Sequence, residues 1–220
     1  MGGMRKRKVS NPLALAVLSL LSERPMHPYE MSATLRERAK EESIKLNYGS
    51  LYSVVESLRR HGLIDVHETI REGRRPERTV YTITESGRYE LVDWLSELLS
   101  MPVKEYTQFE AALSLMPVIS PDDVRRLLET RCVRLDADIA AMGGVIDEMA
   151  RRGMPYLWAI ETDYVLVLRR AERQFVGNLI EKIKDGTLEG GDIWRLAHED
   201  GELPSEEVWE RATAHLRSVK

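Results

Sequence analysis

The sequence predicts a mainly helical protein built in two parts, on three observations. Between Asn11 and Leu95, three short helical patterns are followed by two strand-like runs and a fourth helical pattern. From Ser120 to Asp185, apolar residues recur at helical spacing along two long segments with a Gly-Pro break between them. Arginines gather in the connection between the two strands.

The first helix opens at Asn11-Pro12: Asn caps free N–H groups, and Pro at the next position has a suitable φ and no N–H to leave unpaired. Leu13, Val17, Leu18, Leu20 and Leu21 make it strongly apolar, and Arg24-Pro25 ends it. Pro28 starts a second helix to about Lys40, with Tyr29, Met31, Leu35 and Ala39 expected on its inner face. After a loop anchored by Ile44 and Leu46, Asn47 caps a third helix from about Tyr48 to His61. Its apolar stripe is Leu51, Val54, Val55 and Leu58, and Gly62 is a C-terminal stop. Ile64–Val66 and Thr79–Ile83 then read as strands, with Gly73 and Pro76 marking the turn between them. Thr84 caps a fourth helix from Glu85 to about Ser100, with Leu91, Trp94, Leu95, Leu98 and Leu99 apolar.

That order is a winged helix-turn-helix, a module that places its third helix in a DNA major groove. Charge agrees with it. Residues 1–90 hold 16 Lys and Arg against 12 Asp and Glu, whereas residues 91–220 hold 16 against 24. The positive charge clusters at Arg5–Lys8 and in the hairpin from Arg71 to Arg78. Tyr48, Ser50, Tyr52, Ser53 and Arg59 project from the third helix away from its stripe, where hydroxyls and a guanidinium can reach phosphates and base edges. Lys45, Arg59 and Arg60 suit phosphates better than bases, because long cations settle on the backbone in any sequence. Arg74, Arg75 and Arg78 stand where a wing meets the sugar-phosphate edge or the minor groove. The plainer alternatives are surface decoration, partial burial for Tyr48 and Tyr52, and a solvated hairpin tip for the wing.

Four stretches carry a family resemblance: residues 20–31 (Leu-Leu-Ser-Glu-Arg-Pro-Met-His-Pro-Tyr-Glu-Met), Gly-Ser-Leu-Tyr at 49–52, Leu-Arg-Arg-His-Gly-Leu-Ile at 58–64, and 73–88 from Gly-Arg-Arg-Pro to Glu-Ser-Gly-Arg. Over roughly residues 11–100 the chain resembles the PadR family of bacterial transcriptional regulators. The resemblance implies a homodimeric DNA-binding regulator, usually a repressor, often relieved by a small molecule, with a C-terminal helical dimerisation domain. Where many members have Gly between His27 and Tyr29, this chain has Pro28, which a helix start accepts.

Ser120-Pro121-Asp122-Asp123 opens the second part with a cap and an acidic first turn. Leu128, Cys132, Leu135, Ile139, Met142, Ile146 and Met149 follow as a heptad-like seam until Arg152–Pro155 breaks it. A second long helix, ending near Asp185-Gly186, places Ile160, Tyr164, Leu168, Ala171, Phe175, Leu179 and Ile183 on one face. The two form an antiparallel hairpin with more apolar surface than the pair can hide, so dimerisation against a second copy is expected over packing within the chain. In the tail, Gly190-Gly191 suggests a hinge, and a last helix starts near Pro204-Ser205. The expected domains are residues 1–100, a DNA-binding domain with a linking helix; 101–189, a helical dimerisation domain; and 190–220, a helical tail.

Other chemistry is not signalled. The five histidines lack metal-ligand spacing with the single Cys132, and the glycine pairs lack the Lys and strand context of a phosphate loop. No catalytic residues, metal or cofactor are expected, and an enzyme is not. Trp94, Trp158 and Tyr164 are candidates for an apolar pocket between subunits that takes a flat effector, although such residues are more often core. No apolar run reaches the ~18–20 residues of a membrane span. Leu13–Leu21 lacks a small-residue cleavage site, and the lone cysteine suits a reducing compartment, so a cytoplasmic location is expected. The expectation is a cytoplasmic homodimeric regulator of double-stranded DNA with a palindromic operator and a small-molecule effector. The alternative is a winged helix used as a protein-protein interaction module without DNA binding.

Overall fold

The computed structural model describes residues 7, 9–44, 47–70, 78–200 and 204–219. The chain forms two units, Met1–Lys104 and Glu105–Lys220. The protein is mainly helical, with one two-stranded antiparallel sheet among the described residues.

In the first unit, α1 (Pro12–Glu23) is the central helix, and its Leu13, Val17, Leu18 and Leu21 are almost inaccessible to water. Asn11 caps it, its side-chain oxygen accepting from the Leu13 N–H at 2.9 Å. Around it pack α2 (Pro28–Glu37), α3 (Tyr48–Arg60), β1 (Ile64–Ile70), β2 (Arg78–Ile83) and α4 (Glu85–Ser100). Each fully buried Leu, Ile or Val side chain contributes about 1.5–3 kcal/mol relative to exposure, so the cluster from Leu13 to Trp94 is what holds this unit together.

The second helix departs from its sequence reading. It stops at Glu37 rather than near Lys40, because Ala39 takes a left-handed φ of 53° and starts a 3-10 turn, Lys40–Glu42. Tyr29 and Ala39, expected inside, are exposed; the inner face is Met31, Ser32 and Leu35. The strands are longer than the apolar alternation suggested. β1 runs on through His67, Glu68 and Thr69, all exposed, with a register irregularity between Val66 and Glu68. Beyond Val66 the backbone ladder continues on exposed β1 residues, so no apolar alternation marks it. On α4 only Gly87, Leu91 and Trp94 are buried, and Leu95, Leu98 and Leu99 lie on the surface of this unit.

In the second unit, α5 (Gln108–Leu115) is capped by Thr107, whose hydroxyl accepts from the Glu110 N–H at 3.2 Å. A 3-10 turn, Met116–Val118, leads to α6 (Pro121–Arg151), and a break at Gly153 (φ 70°) leads to α7 (Ile160–Lys184). Gly153 closes α6 with paired bonds, Gly153 N–H to Ala150 O at 2.9 Å and Met154 N–H to Met149 O at 3.0 Å. The two long helices pack as an antiparallel pair, but α7 is turned relative to the expected face. Leu166, Val176, Ile180 and Ile183 face inward, while Ile160, Tyr164, Leu168, Ala171 and Phe175 are exposed. Ion pairs of Arg131 with Glu172 and of Asp136 with Arg173 go with this rotation. On α6, Val124, Leu128, Cys132 and Leu135 are buried, and the seam beyond Leu135 is half-exposed.

The tail joins this unit. Gly190, at φ 80°, precedes α8 (Gly191–Ala197) instead of forming a hinge. Trp194 of α8 is buried, and its indole N–H donates to the Ile119 carbonyl at 2.8 Å. On α9 (Glu206–Val219), Trp209 packs against the same cluster and meets His198 edge-on.

Candidate nucleic-acid interface

The outward side of α3 is a consequence of its inward side. Asn47 Oδ1 accepts from the Ser50 N–H at 2.6 Å and fixes where the helix starts. Leu51, Val54, Val55 and Leu58 are then buried, and the 3.6-residue period turns Tyr52, Ser53, Glu56, Arg59 and Arg60 outward, with Ser50 at the margin. Tyr52 is 50% exposed. The Ser53 hydroxyl donates to the Gly49 carbonyl at 3.0 Å, whereas the Ser50 hydroxyl has no partner among the described residues. Arg59 stands 3.7 Å from Glu56 with both side chains half-exposed. Such a pair contributes little and can be exchanged for a phosphate. The first turn of α3 carries no acidic residue, so the positive end of the helix dipole is uncompensated there.

The wing is tied to α3 by backbone and by one threonine. Gly62, at φ 70°, ends α3 with Gly62 N–H to Arg59 O at 2.9 Å and Leu63 N–H to Leu58 O at 3.0 Å. Thr84, where β2 becomes α4, donates from its hydroxyl to the Gly62 carbonyl at 2.7 Å and accepts from the Gly87 N–H at 3.0 Å. Its own N–H reaches the Leu63 carbonyl at 3.1 Å. At the other side of β2, Met26 and Tyr81 exchange reciprocal backbone bonds of 3.0 Å. The connector between α1 and α2 thus adds a third rung beside the wing. Sequence reasoning missed it, because Arg24-Pro25 reads only as a helix end; an apolar Met26 between Pro25 and His27 is the trace it leaves.

His27 caps α2, its Nδ1 accepting from the Tyr29 N–H at 3.1 Å. Burial, and then the nearby charge of Arg78, hold its pKa below the ordinary 6.5. Arg78 is the first residue of β2 and is exposed. Of the other candidates, Lys45, Arg74 and Arg75 lie outside the described residues; Tyr48 begins α3, but its side chain lies outside them too.

One basic residue of the N-terminal cluster has a different role. The Arg7 side chain is 2% exposed and forms ion pairs with Glu90 at 2.6 Å, Asp93 at 2.9 Å and Glu97 at 2.6 Å, all on α4. Its guanidinium also lies 5.6 Å from the centre of the Trp94 ring. Burial opposes its charge, but the hydrogen bonds to the three carboxylates outweigh it and raise its pKa further. Arg7 is itself bound to α4 and is not available to a phosphate. Trp94 is core of the first unit, whereas Trp158 and Tyr164 are surface residues of the second.

Among the described residues no group of three or more His, Cys, Asp or Glu side chains could hold a metal, and no helix is long and apolar enough to cross a membrane. Residues 17–93, from within α1 to α4, match the transcriptional regulator PadR-like family. The match covers the winged-helix part, so this part of the chain is similar to that family. It is a family of transcriptional regulators. The chain is also similar to the negative transcriptional regulator PadR of Bacillus subtilis (strain 168), 22% identical over 160 residues that span 72% of this chain and 87% of the relative. The same fold appears in Bacillus subtilis PadR in complex with operator DNA, with 19% identity and a TM-score of 0.61 over 79% of this chain and 99% of the other. Its complex with p-coumaric acid gives 17% identity and a TM-score of 0.63 over 78% and 98%.

Proposed function

We propose that this protein is a homodimeric transcriptional repressor that binds a palindromic operator in the cytoplasm and leaves it on binding a small molecule. The observation that carries the DNA reading is the construction of α3. Its stripe is locked into the core, so the opposite side is presented rigidly, with Ser50, Tyr52 and Ser53 near the N-terminus and Arg59 and Arg60 near the end. In the major groove the hydroxyls of Ser50 and Tyr52 contact base edges, and Ser53 with Tyr48 supports them. Lys45, Arg59 and the wing arginines Arg74, Arg75 and Arg78 take phosphates. The bonds from Thr84 to Gly62 and Leu63 hold the wing at a set angle to α3, so both elements engage one duplex together.

The dimer reading rests on α7. Ile160, Tyr164, Leu168 and Phe175 are each about half-exposed at spacings of four, four and seven along one side of the helix. A continuous apolar stripe of that length suits burial against a second copy. Tyr164 belongs to that seam in this reading. Operator binding and small-molecule binding are carried over from Bacillus subtilis PadR, which has been crystallised with operator DNA and with p-coumaric acid.

Selection from a pool of random duplexes tests the proposal. The expected product is a two-fold symmetric site with half-sites about 10–10.5 bp apart, or a multiple of that spacing. Ser50→Ala or Tyr52→Phe should enrich a different preferred sequence. A pool that shows no enrichment over rounds would instead leave the winged helix as a protein-protein surface.

A further inference from the structure

The second unit contains a cleft that DNA binding does not use. It lies between α5, the turn at Met116–Val118 and the N-terminal half of α6, and encloses about 340 Å³. That volume falls at the lower end of small-molecule sites. Phe109, Leu113, Met116, Val124 and Leu127 make its walls apolar. Arg131 and Arg134 are the two charged residues that line it.

The two arginines differ in their commitments. Arg131 lies 3.7 Å over the Phe109 ring and is paired with Glu172. Glu172 is shared with Arg169 at 3.3 Å, so one carboxylate already serves two guanidinia. Arg134 has no carboxylate partner among the described residues and is exposed. The Thr130 hydroxyl, the other polar group of the lining, is bonded to the Arg126 carbonyl at 3.0 Å. The cleft is thus an apolar trough with surplus positive charge at one edge. A cation would be repelled there, an extended peptide would find no acceptors or donors along the walls, and a purely apolar body would leave the guanidinium without an anion.

We propose that this cleft binds a small organic carboxylate, its apolar body against Phe109, Leu113 and Leu127 and its carboxylate on Arg134. The assignment names the effector site of the repressor proposed above, and only its coupling to DNA rests on that reading. The coupling has a short path along the chain. Residues 101–107 alone separate α4 of the DNA-binding unit from α5, and a ligand that bridges α5 and α6 holds α5 in place.

Isothermal titration of the full chain without DNA tests the site. Decanoate, below its micellar concentration, and 4-butylbenzoate serve as anionic probes, with decyltrimethylammonium as the cationic counterpart. The expected result is saturable binding of one carboxylate per chain, and which probe binds tells an aliphatic site from an aromatic one. Arg134→Ala should weaken it about tenfold, the scale of one charge-assisted hydrogen bond. Leu127→Glu, at a position 59% exposed and so without loss of core, should abolish it by setting a carboxylate against the ligand. Failure of both carboxylates to bind, equal binding of the cation, or parent-like affinity in both variants would overturn the assignment. With no DNA present, that failure is separate from any failure of operator binding.

Discussion

Gly87→Ala is expected to destabilise the first unit by about 2–3 kcal/mol. A Cβ at this position would stand 2.0 Å from the Leu63 carbonyl oxygen, 2.8 Å from Ile83 Cγ1 and 3.0 Å from the Leu63 carbonyl carbon. The oxygen is backbone and is already held by the Thr84 N–H, so it cannot swing aside as a side chain could. Relief requires the start of α4 to move by about 1 Å from the turn after α3, which breaks the bonds of Thr84 to Gly62 and Leu63. Overpacking costs about 1–3 kcal/mol, here at the severe end. Loss of those Thr84 hydrogen bonds adds about 1 kcal/mol, and the better helix propensity of Ala returns about 1 kcal/mol. Gly143→Ala in α6 is the control: its Cβ meets nothing within 4 Å, so the same substitution should stabilise by up to about 1 kcal/mol. Hydrogen exchange of the α1 and α3 amides, resolved by mass spectrometry, reads the opening free energy of the first unit alone. A Gly87→Ala protein within about 0.5 kcal/mol of the parent would refute the close approach of α4 to Leu63.

Three further outcomes follow from the geometry. Arg7→Ala leaves Glu90, Asp93 and Glu97 without their common partner and should cost the first unit about 2–3 kcal/mol in the same exchange measurement; Arg7→Lys should rescue it only in part, since an ammonium lacks the guanidinium fork. His27 has a folded pKa held below 6.5, so the unfolded chain takes up that proton first as the pH falls. Its contribution to stability is whole above the unfolded value and is lost progressively between 6.5 and the lower folded pKa, and the protonated Nδ1 can no longer accept from Tyr29. His27→Asn keeps an acceptor and should flatten the stability profile across that window, as read by denaturation at several pH values. Replacing Arg74, Arg75 and Arg78 together with Ala should weaken binding to all duplexes and flatten the salt dependence by about 0.9 per lost phosphate contact; an unchanged slope would remove the wing from the interface.

Much of the first unit was legible in the sequence because its signals are local. Asn11, Asn47, Thr84 and Ser120 each accept the N–H bond their cap positions suggested. The side of α3 that faces out could be read because only one side of that helix is apolar. The orientation of α7 could not be read the same way. It is apolar on two sides, and periodicity cannot choose between Leu166–Val176–Ile180 and Ile160–Tyr164–Leu168. The choice goes with pairs to Arg131 and Asp136, about forty residues earlier in the chain. Arg7 was hidden for a similar reason: in sequence it is one of four basic residues, and its partners are 83 to 90 positions away. Ala39 ends α2 by a left-handed turn that no Gly or Asn announces. The strand bond at Met26 involves backbone alone, so it leaves no mark on composition beyond one buried Met.

The most direct measurement is fluorescence anisotropy of the full chain with the duplex upstream of its own gene and with a scrambled duplex, each at two salt concentrations. Preferential binding to the upstream duplex, with affinity that falls steeply as salt rises, is the expected result: α3 reads bases and the arginines hold phosphates. Absence of binding to either duplex at low salt would contradict it and leave the winged helix to a partner other than DNA.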